Sequence, residues 1–179
     1  MNFRIVMIKK GRILVLTLLG FIFLSCNPPV PESTLRFNFL QNFARAVRQP
    51  SPDKVFKYQK WQKGTEGRDA MVIGVFGQAS FTLLPEETGN DLYFGMRLRI
   101  PDSARAECII VVETSSQSDT VFRRSMDAVQ NISDRNWSDE YVDMSRYLNQ
   151  PITVRFSVLY YGTDAWVEWS SPILVADEK

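Results

Sequence analysis

The sequence predicts a mainly β protein, an antiparallel β-sandwich, and two segments carry that prediction. Leu92 to Ile100 alternates: Leu92, Phe94, Met96, Leu98 and Ile100 share one face, while Tyr93, Gly95, Arg97 and Arg99 share the other. Ile152 to Tyr160 alternates as cleanly, with Ile152, Val154, Phe156, Val158 and Tyr160 set against Thr153, Arg155 and Ser157. A period of two marks a strand with one buried and one wet face. Several such segments, separated by turn signals at roughly 8–12-residue spacing, argue for a sandwich or barrel. Regular alternation favours two sheets, each wet on one side.

The elements follow in chain order. Arg4, Lys9, Lys10 and Arg12 precede an uncharged apolar run from Ile13 to Leu24, then Ser25-Cys26. These are the charged, apolar and small-residue zones of an export signal. The apolar run is about twelve residues, short of the roughly 20 that span a bilayer. Met7 offers a second start that gives a more compact signal. Residues 1–25 resemble a bacterial lipoprotein signal, with Phe23 and Leu24 as bulky variants before Ser25. That resemblance implies that Cys26 becomes the acylated N-terminus. Each buried acyl methylene contributes about 0.8 kcal/mol, so several chains anchor a protein permanently. The resemblance places the chain in the cell envelope, at the outer membrane or cell surface. Residues 26–33 carry Pro28, Pro29 and Pro31, the composition of an extended tether.

Residues 34–179 suit one domain, in the size range where a chain buries about 68–70% of its unfolded surface. Leu35, Phe39, Phe43 and Val47 recur every four residues, which predicts a short N-terminal helix over Thr34 to Val47. Ser33 or Thr34 could cap it, and Pro50 and Pro52 would end it. A strand through Leu35, Phe37 and Phe39 is the rival. Beyond Pro52 the expected strands are Val55 to Trp61, Met71 to Phe76, Ala79 to Leu84, Leu92 to Ile100, Arg105 to Thr114, Val121 to Met126, Ile152 to Tyr160 and Ala165 to Val175. Ile109 to Val112 is apolar on both faces, as in a central strand. Asp127 to Glu140 reads as a long irregular connection.

Composition excludes several classes. Taking the four leader cations from the 21 basic residues leaves 17 against 20 acidic ones, a net of about −3. No basic stripe supports nucleic-acid binding. The chain has no histidine, which removes a Ser-His-Asp triad and the commonest transition-metal ligand. With Cys26 acylated, Cys108 is left alone inside an apolar strand, as an inert thiol. No nucleotide fingerprint, phosphate loop or CxxC motif is present. The reading is a non-enzyme without a cofactor.

Candidate ligand-binding residues are Trp61, Trp137 and Trp166, because an indole face stacks on a sugar ring. If Ala165, Val167 and Trp169 face the core, Trp166 faces out beside Glu168, and Trp169 is a core residue. Packing under a loop is the commoner fate of such rings. Asp134, Asp139, Glu140 and Asp143 could supply oxygens to a structural calcium, although their order departs from an EF-hand loop. Glu86-Glu87 and Asp139-Glu140 could suggest glycosidase carboxylates, but such enzymes need two carboxyls at a defined separation across a cleft, and neighbours on a strand point to opposite faces.

One stretch resembles a known family. Asp143-Met144-Ser145-Arg146-Tyr147-Leu148-Asn149-Gln150, leading into Ile152-Thr153-Val154-Arg155-Phe156, is similar to the turn and strand of galactose-binding-like jelly-roll domains. Trp137-Ser138-Asp139-Glu140 and Trp166 to Ile173 match flanking parts of that pattern. The likeness covers residues 91–175, with Met144 in place of Leu and Asn149 in place of Gly. It implies an eight- or nine-stranded sandwich that often binds glycans through loops at one end. It carries no activity. The expected partner is a glycan or, as the alternative, an envelope protein docked on the sandwich. A carboxylate-based hydrolase is the third reading. Cys26→Ala is expected to abolish membrane retention and leave the domain folded; persistence of the variant in the membrane fraction would sink the lipoprotein reading.

Overall fold

A computed structural model describes residues 35–58, 67–99, 104–161 and 164–176. The chain divides into Met1–Pro31 and Glu32–Lys179, and every described residue belongs to the second unit. The leader, Cys26, the tether and Trp61 lie outside the described residues.

The unit is a sandwich of two antiparallel sheets. In chain order the strands are β1 (Leu35–Asn38), β2 (Val47–Gln49), β3 (Val55–Tyr58), β4 (Ala70–Gly74), β5 (Gln78–Leu83), β6 (Asp91–Arg99), β7 (Arg105–Glu113), β8 (Ser118–Asp127), β9 (Ser138–Asp143), β10 (Ile152–Tyr160) and β11 (Trp166–Val175). One sheet runs β3-β4-β11-β6-β9, with β1 beside the far half of β11. The other runs β2-β5-β10-β7-β8. The two alternating segments become β6 and β10, in the interior of their respective sheets. Eleven strands are described, more than the eight or nine the resemblance implied, because β1 and β2 are short strands at the start of the unit.

The core lies between the sheets. Trp169 on β11 is fully buried. Its ring meets Phe94 of its own sheet at 5.5 Å and Phe156 of the facing sheet at 5.3 Å. Phe39, Phe81 and Phe156 continue the cluster edge to face, with centroids 5.0 Å (Phe39 to Phe81), 5.1 Å (Phe39 to Phe156) and 6.3 Å (Phe81 to Phe156) apart. T-shaped contacts suit the ring quadrupole. Cys108 is buried, with Sγ 3.7 Å from the Met126 sulfur. Desolvation pushes its thiol far above the ordinary range, so no thiolate forms near neutral pH.

The N-terminal helix expected over Thr34 to Val47 does not form. Leu35–Asn38 is β1, paired with the end of β11; Phe43–Arg45 is one 3-10 turn; Val47–Gln49 is β2. Of the four residues in the supposed helical stripe only Phe39 is fully buried, while Val47 is 59% exposed. Phe37 and Phe39 are the buried pair, at the strand period, and β11 offers the backbone partners that a lone amphipathic helix would not need. The stretch read as irregular, Asp127 to Glu140, runs at Ser138 into β9, an edge strand with Val142 as its one buried side chain. Its polar composition hid it, since an edge strand needs little apolar surface.

Two backbone features stand out. Asn149 has φ 57°, so the turn that the resemblance assigns to Gly keeps its left-handed residue. Phe76 has φ 63° in the β4–β5 turn. For a bulky side chain that conformation costs about 1–2 kcal/mol.

Trp169 joins the sheets, yet its indole N–H is buried with no hydrogen-bond partner among the described residues. Trp169→Ala is expected to cost about 3–5 kcal/mol in urea unfolding. Trp169→Phe should cost less than half as much, because it keeps a ring and deletes the unpaired donor, itself unfavourable by about 1–3 kcal/mol.

Candidate functional site

The outer face of the six-stranded sheet is built by the same alternation that buries Val167 and Trp169. With these two inward, Trp166, Glu168 and Ser170 turn outward along β11. Register then sets their neighbours. Trp166 lies between Gly74 of β4 and Arg99 of β6, and Glu168 between Val72 and Arg97.

Gly74 explains the posture of Trp166. A Cβ there would stand 3.0–3.2 Å from three carbons of the indole, so the ring lies flat against the glycine. Phe56 of β3 leans on its side at 5.6 Å, and the Lys54 ammonium stands 5.4 Å from its centroid. Cation–π attraction of this kind contributes about 0.5–1 kcal/mol at exposed sites. Trp166 is therefore a half-buried ring laid on a sheet surface.

Glu168 is the organising charge. Its side chain is only 2% exposed although it faces outward. Arg97 Nε donates to it at 2.6 Å, and Arg99 Nε lies 3.8 Å from its other oxygen. The Arg97 guanidinium in turn covers the Trp137 ring at 4.4 Å, with Arg68 at 5.2 Å. Arg68 also pairs with Asp139. That pair crosses directly over Gly95, where a Cβ would come within 2.7 Å of Arg68 and 3.0 Å of Asp139. Two glycines thus let a ring and an ion pair lie down on the strands.

Trp137 reaches this face because its loop is pinned. Arg124 of β8 donates to Asp134 at 2.9 Å and also binds Ser138 and Glu140 of β9. Asp134, buried, further accepts from the Asp127 amide at 2.8 Å and from Asn131 at 3.1 Å. One arginine thereby ties an edge of the five-stranded sheet to an edge of the six-stranded sheet and fixes the residues before Trp137. Beyond Asp139, the cross-strand pair Tyr93 and Tyr141 extends the outer face with exposed rings 5.3 Å apart. The hydrogen bond with Asp91 raises the Tyr141 phenol above its usual range.

The structure therefore brings together two of the three expected tryptophans, Trp137 and Trp166, on one face of one sheet. About 10 Å, two strand spacings, lie between β11, which carries Trp166, and β9, which Trp137 immediately precedes. They stand on a sheet face rather than in the end loops that the resemblance implied. Trp61 lies outside the described residues, and Trp169 is in the core as expected. Arg68, Gly74 and the Tyr93–Tyr141 pair were not singled out from the sequence. Alternation had put Tyr93, Gly95, Arg97 and Arg99 on one face; their adjacency to β11 is a long-range pairing that no local pattern reports.

The four carboxylates that could have supplied oxygens to a calcium each have a partner within the protein. Asp134 and Glu140 share Arg124, Asp139 pairs with Arg68, and Asp143 accepts from the Ser145 amide. Among the described residues no group of three or more carboxylate, Cys or His side chains is placed to hold a metal. Glu87 is bound by Arg45, whose hydrogen bond holds its carboxyl below the usual range. Asp139 and Glu140 leave β9 on opposite faces, as adjacent strand residues must.

No protein-family model and no curated protein matches the chain significantly. Solved structures do resemble it. A family 61 carbohydrate-binding module in complex with β-1,4-galactotriose superposes with a TM-score of 0.50 at 11% identity, over 78% of this chain and 96% of that one. The xylan-binding domain of Paenibacillus barcinonensis, a family 22 module, gives 0.50 at 12% identity, over 75% and 87%. Identities this low are a likeness of fold, the β-sandwich shared with carbohydrate-binding modules.

Flattening of Trp166 on Gly74 generates a test. Gly74→Val is expected to lift the ring and lower stability in urea by about 1–3 kcal/mol. Adding Trp166→Ala should return most of that loss, and an undiminished loss in the double variant would contradict the contact.

Proposed function

We propose that this protein is a non-catalytic glycan-binding module, exported and held to a bacterial membrane through acylated Cys26. The observation that carries the binding reading is the pair of tryptophans on one outer sheet face, flanking Arg97, Glu168 and Arg99. Sugars have apolar ring faces and hydroxyl edges. A flat indole takes the first, and the Arg97 and Arg99 guanidinia fixed by Glu168, with the exposed Asp139 carboxylate nearby, take the second by charge-assisted hydrogen bonds. The rings are set before any ligand arrives, by Gly74 beneath one and by Arg97 and Arg68 against the other, so little ordering entropy remains to be lost on binding.

Further support comes from the two neighbours of similar fold, whose names report β-1,4-galactotriose and xylan as their ligands. The anchor rests on the sequence of residues 1–26 alone.

The test is a glycan array with the full-length protein in mild detergent, repeated with Trp166→Ala and Trp137→Ala. Specific binding is expected, reduced roughly tenfold by either substitution, the equivalent of about 1.4 kcal/mol. Absence of binding by the folded wild-type protein would overturn the glycan reading.

A further inference from the structure

Around the corner from Trp166, a second aromatic surface sits at one end of the sandwich. The β4–β5 turn follows directly from Gly74, the glycine beneath Trp166, and two residues on it presents Phe76. This ring is 67% exposed and stacks on Tyr160, itself 51% exposed, with centroids 5.6 Å apart and planes only 14° from parallel. Tyr161, 52% exposed, follows in the chain.

Such a ring is costly to hold there. Phe76 keeps φ 63°, a conformation that suits glycine and strains a bulky L-residue. The turn is nonetheless over-determined. Phe76 N–H donates to Val158 at 2.8 Å, Val158 N–H to Gly77 at 3.0 Å, Val75 N–H to Ala165 at 3.0 Å and Gly77 N–H to Gly74 at 2.8 Å. Four backbone hydrogen bonds thus fix a strained residue whose side chain fills no core position. Strain held by its surroundings, with an exposed apolar product, marks a binding feature rather than a packing one.

We propose that Phe76 and Tyr160 form a second saccharide platform, so that the glycan bound at Trp166 continues over the end of the sandwich. This inference rests on the glycan reading of the outer sheet face. Stacked in nearly parallel planes, the exposed pair leaves the outward ring face as a flat apolar surface beside the Tyr160 phenol. That combination matches the apolar face and hydroxyl edge of a sugar ring. Continuity with Trp166 through the short turn after Gly74 makes the ligand an extended chain rather than a single terminal sugar. The surface also lies at the start of β11, whereas β1 enters the fold beside the end of β11, paired with Val175 and Ile173. The platform is thus at the opposite end of β11 from β1, the first described strand.

The test is affinity electrophoresis of the full-length protein in detergent, through gels cast with soluble xylan or β-1,4-galactan. Each polysaccharide is then replaced by its trisaccharide as a competitor. Phe76→Gly is the key variant, since glycine relieves the φ strain while deleting the ring. It is expected to weaken retardation by the polymer roughly fivefold to tenfold, with trisaccharide competition unchanged and thermal stability equal to or above wild type. Tyr160→Ala should reproduce the loss. Polymer binding that depends on Trp166 but is untouched by Phe76→Gly would overturn the second platform and leave the first standing. A thermal midpoint several degrees lower in Phe76→Gly would make the ring structural and also overturn it. Lack of any retardation of the wild-type protein by these polymers or on the array would remove both readings together.

Discussion

The wedge of Trp169 between Phe94 and Phe156 is the contact on which the rest of the structure depends. It joins the middle of one sheet to the middle of the other. Packed sheets stand about 10 Å apart, and a ring of this size spans most of that gap. Because the side-chain period of a strand is two, seating Trp169 inward leaves no freedom for the rest of β11. A slip of one residue would bury Trp166 and Glu168 and expose Val167 and Trp169. The core and the candidate site are therefore one decision. The indole pays for this with an unpaired N–H, which the aromatic contacts offset rather than satisfy.

On the outer face the corresponding role falls to Glu168. A nearly buried carboxylate on the solvent side of a sheet is a poor stability device, since desolvation consumes much of the Coulombic gain. Its effect is positional. Arg97 is drawn to it, and the same guanidinium then caps the Trp137 ring. Arg99, drawn to the other oxygen, stands across from Trp166 in the register. One carboxylate thus orients the groups beside both indoles, and the Arg68–Asp139 pair over Gly95 closes the arrangement from the β9 side. Hydrophobic residues of equal volume would satisfy the sheet as well. The charged version yields fixed hydrogen-bonding groups between two rings, which a polar ligand can use.

How much of this was legible in the sequence differs by the range of the interaction. β6 and most of β10 could be read residue by residue, because alternation is local and both strands are buried on one face, but Tyr160, grouped by alternation with the buried residues of β10, is 51% exposed at the strand end. The outward turn of Trp166 followed from the inward turn of Val167 and Trp169. Residues 34–47 could not be read, because Leu35, Phe39, Phe43 and Val47 fit a helical stripe while Phe37 and Phe39 fit a strand. What decided between them was the open side of β11 near its end, more than 130 residues away. β9 escaped for the opposite reason, having too few apolar residues to show any period. At the site, Trp137 was visible as a residue but not as a neighbour of Arg97, since that contact is made by strand pairing and by the Arg124–Asp134 knot.

Glycine and aromatic residues are distributed here against their usual preferences. At Gly74 and Gly95 the strands give up the side chains that would strengthen them, and an indole and an ion pair lie in the space. At Phe76 the backbone adopts the conformation glycine favours, yet the sequence places a large exposed ring there. Both choices lower stability locally, and neither improves the core, which is closed by Trp169, Phe39, Phe81 and Phe156 without them. Departures from local rules with no gain in packing are expected where a surface serves a ligand. In this domain two of them, Gly74 and Phe76, fall on one short segment, Gly74 to Gly77, and the third, Gly95, lies two strands away on β6. The turn between β4 and β5 is thus where the outer face that carries Trp166 and the end of the sandwich meet.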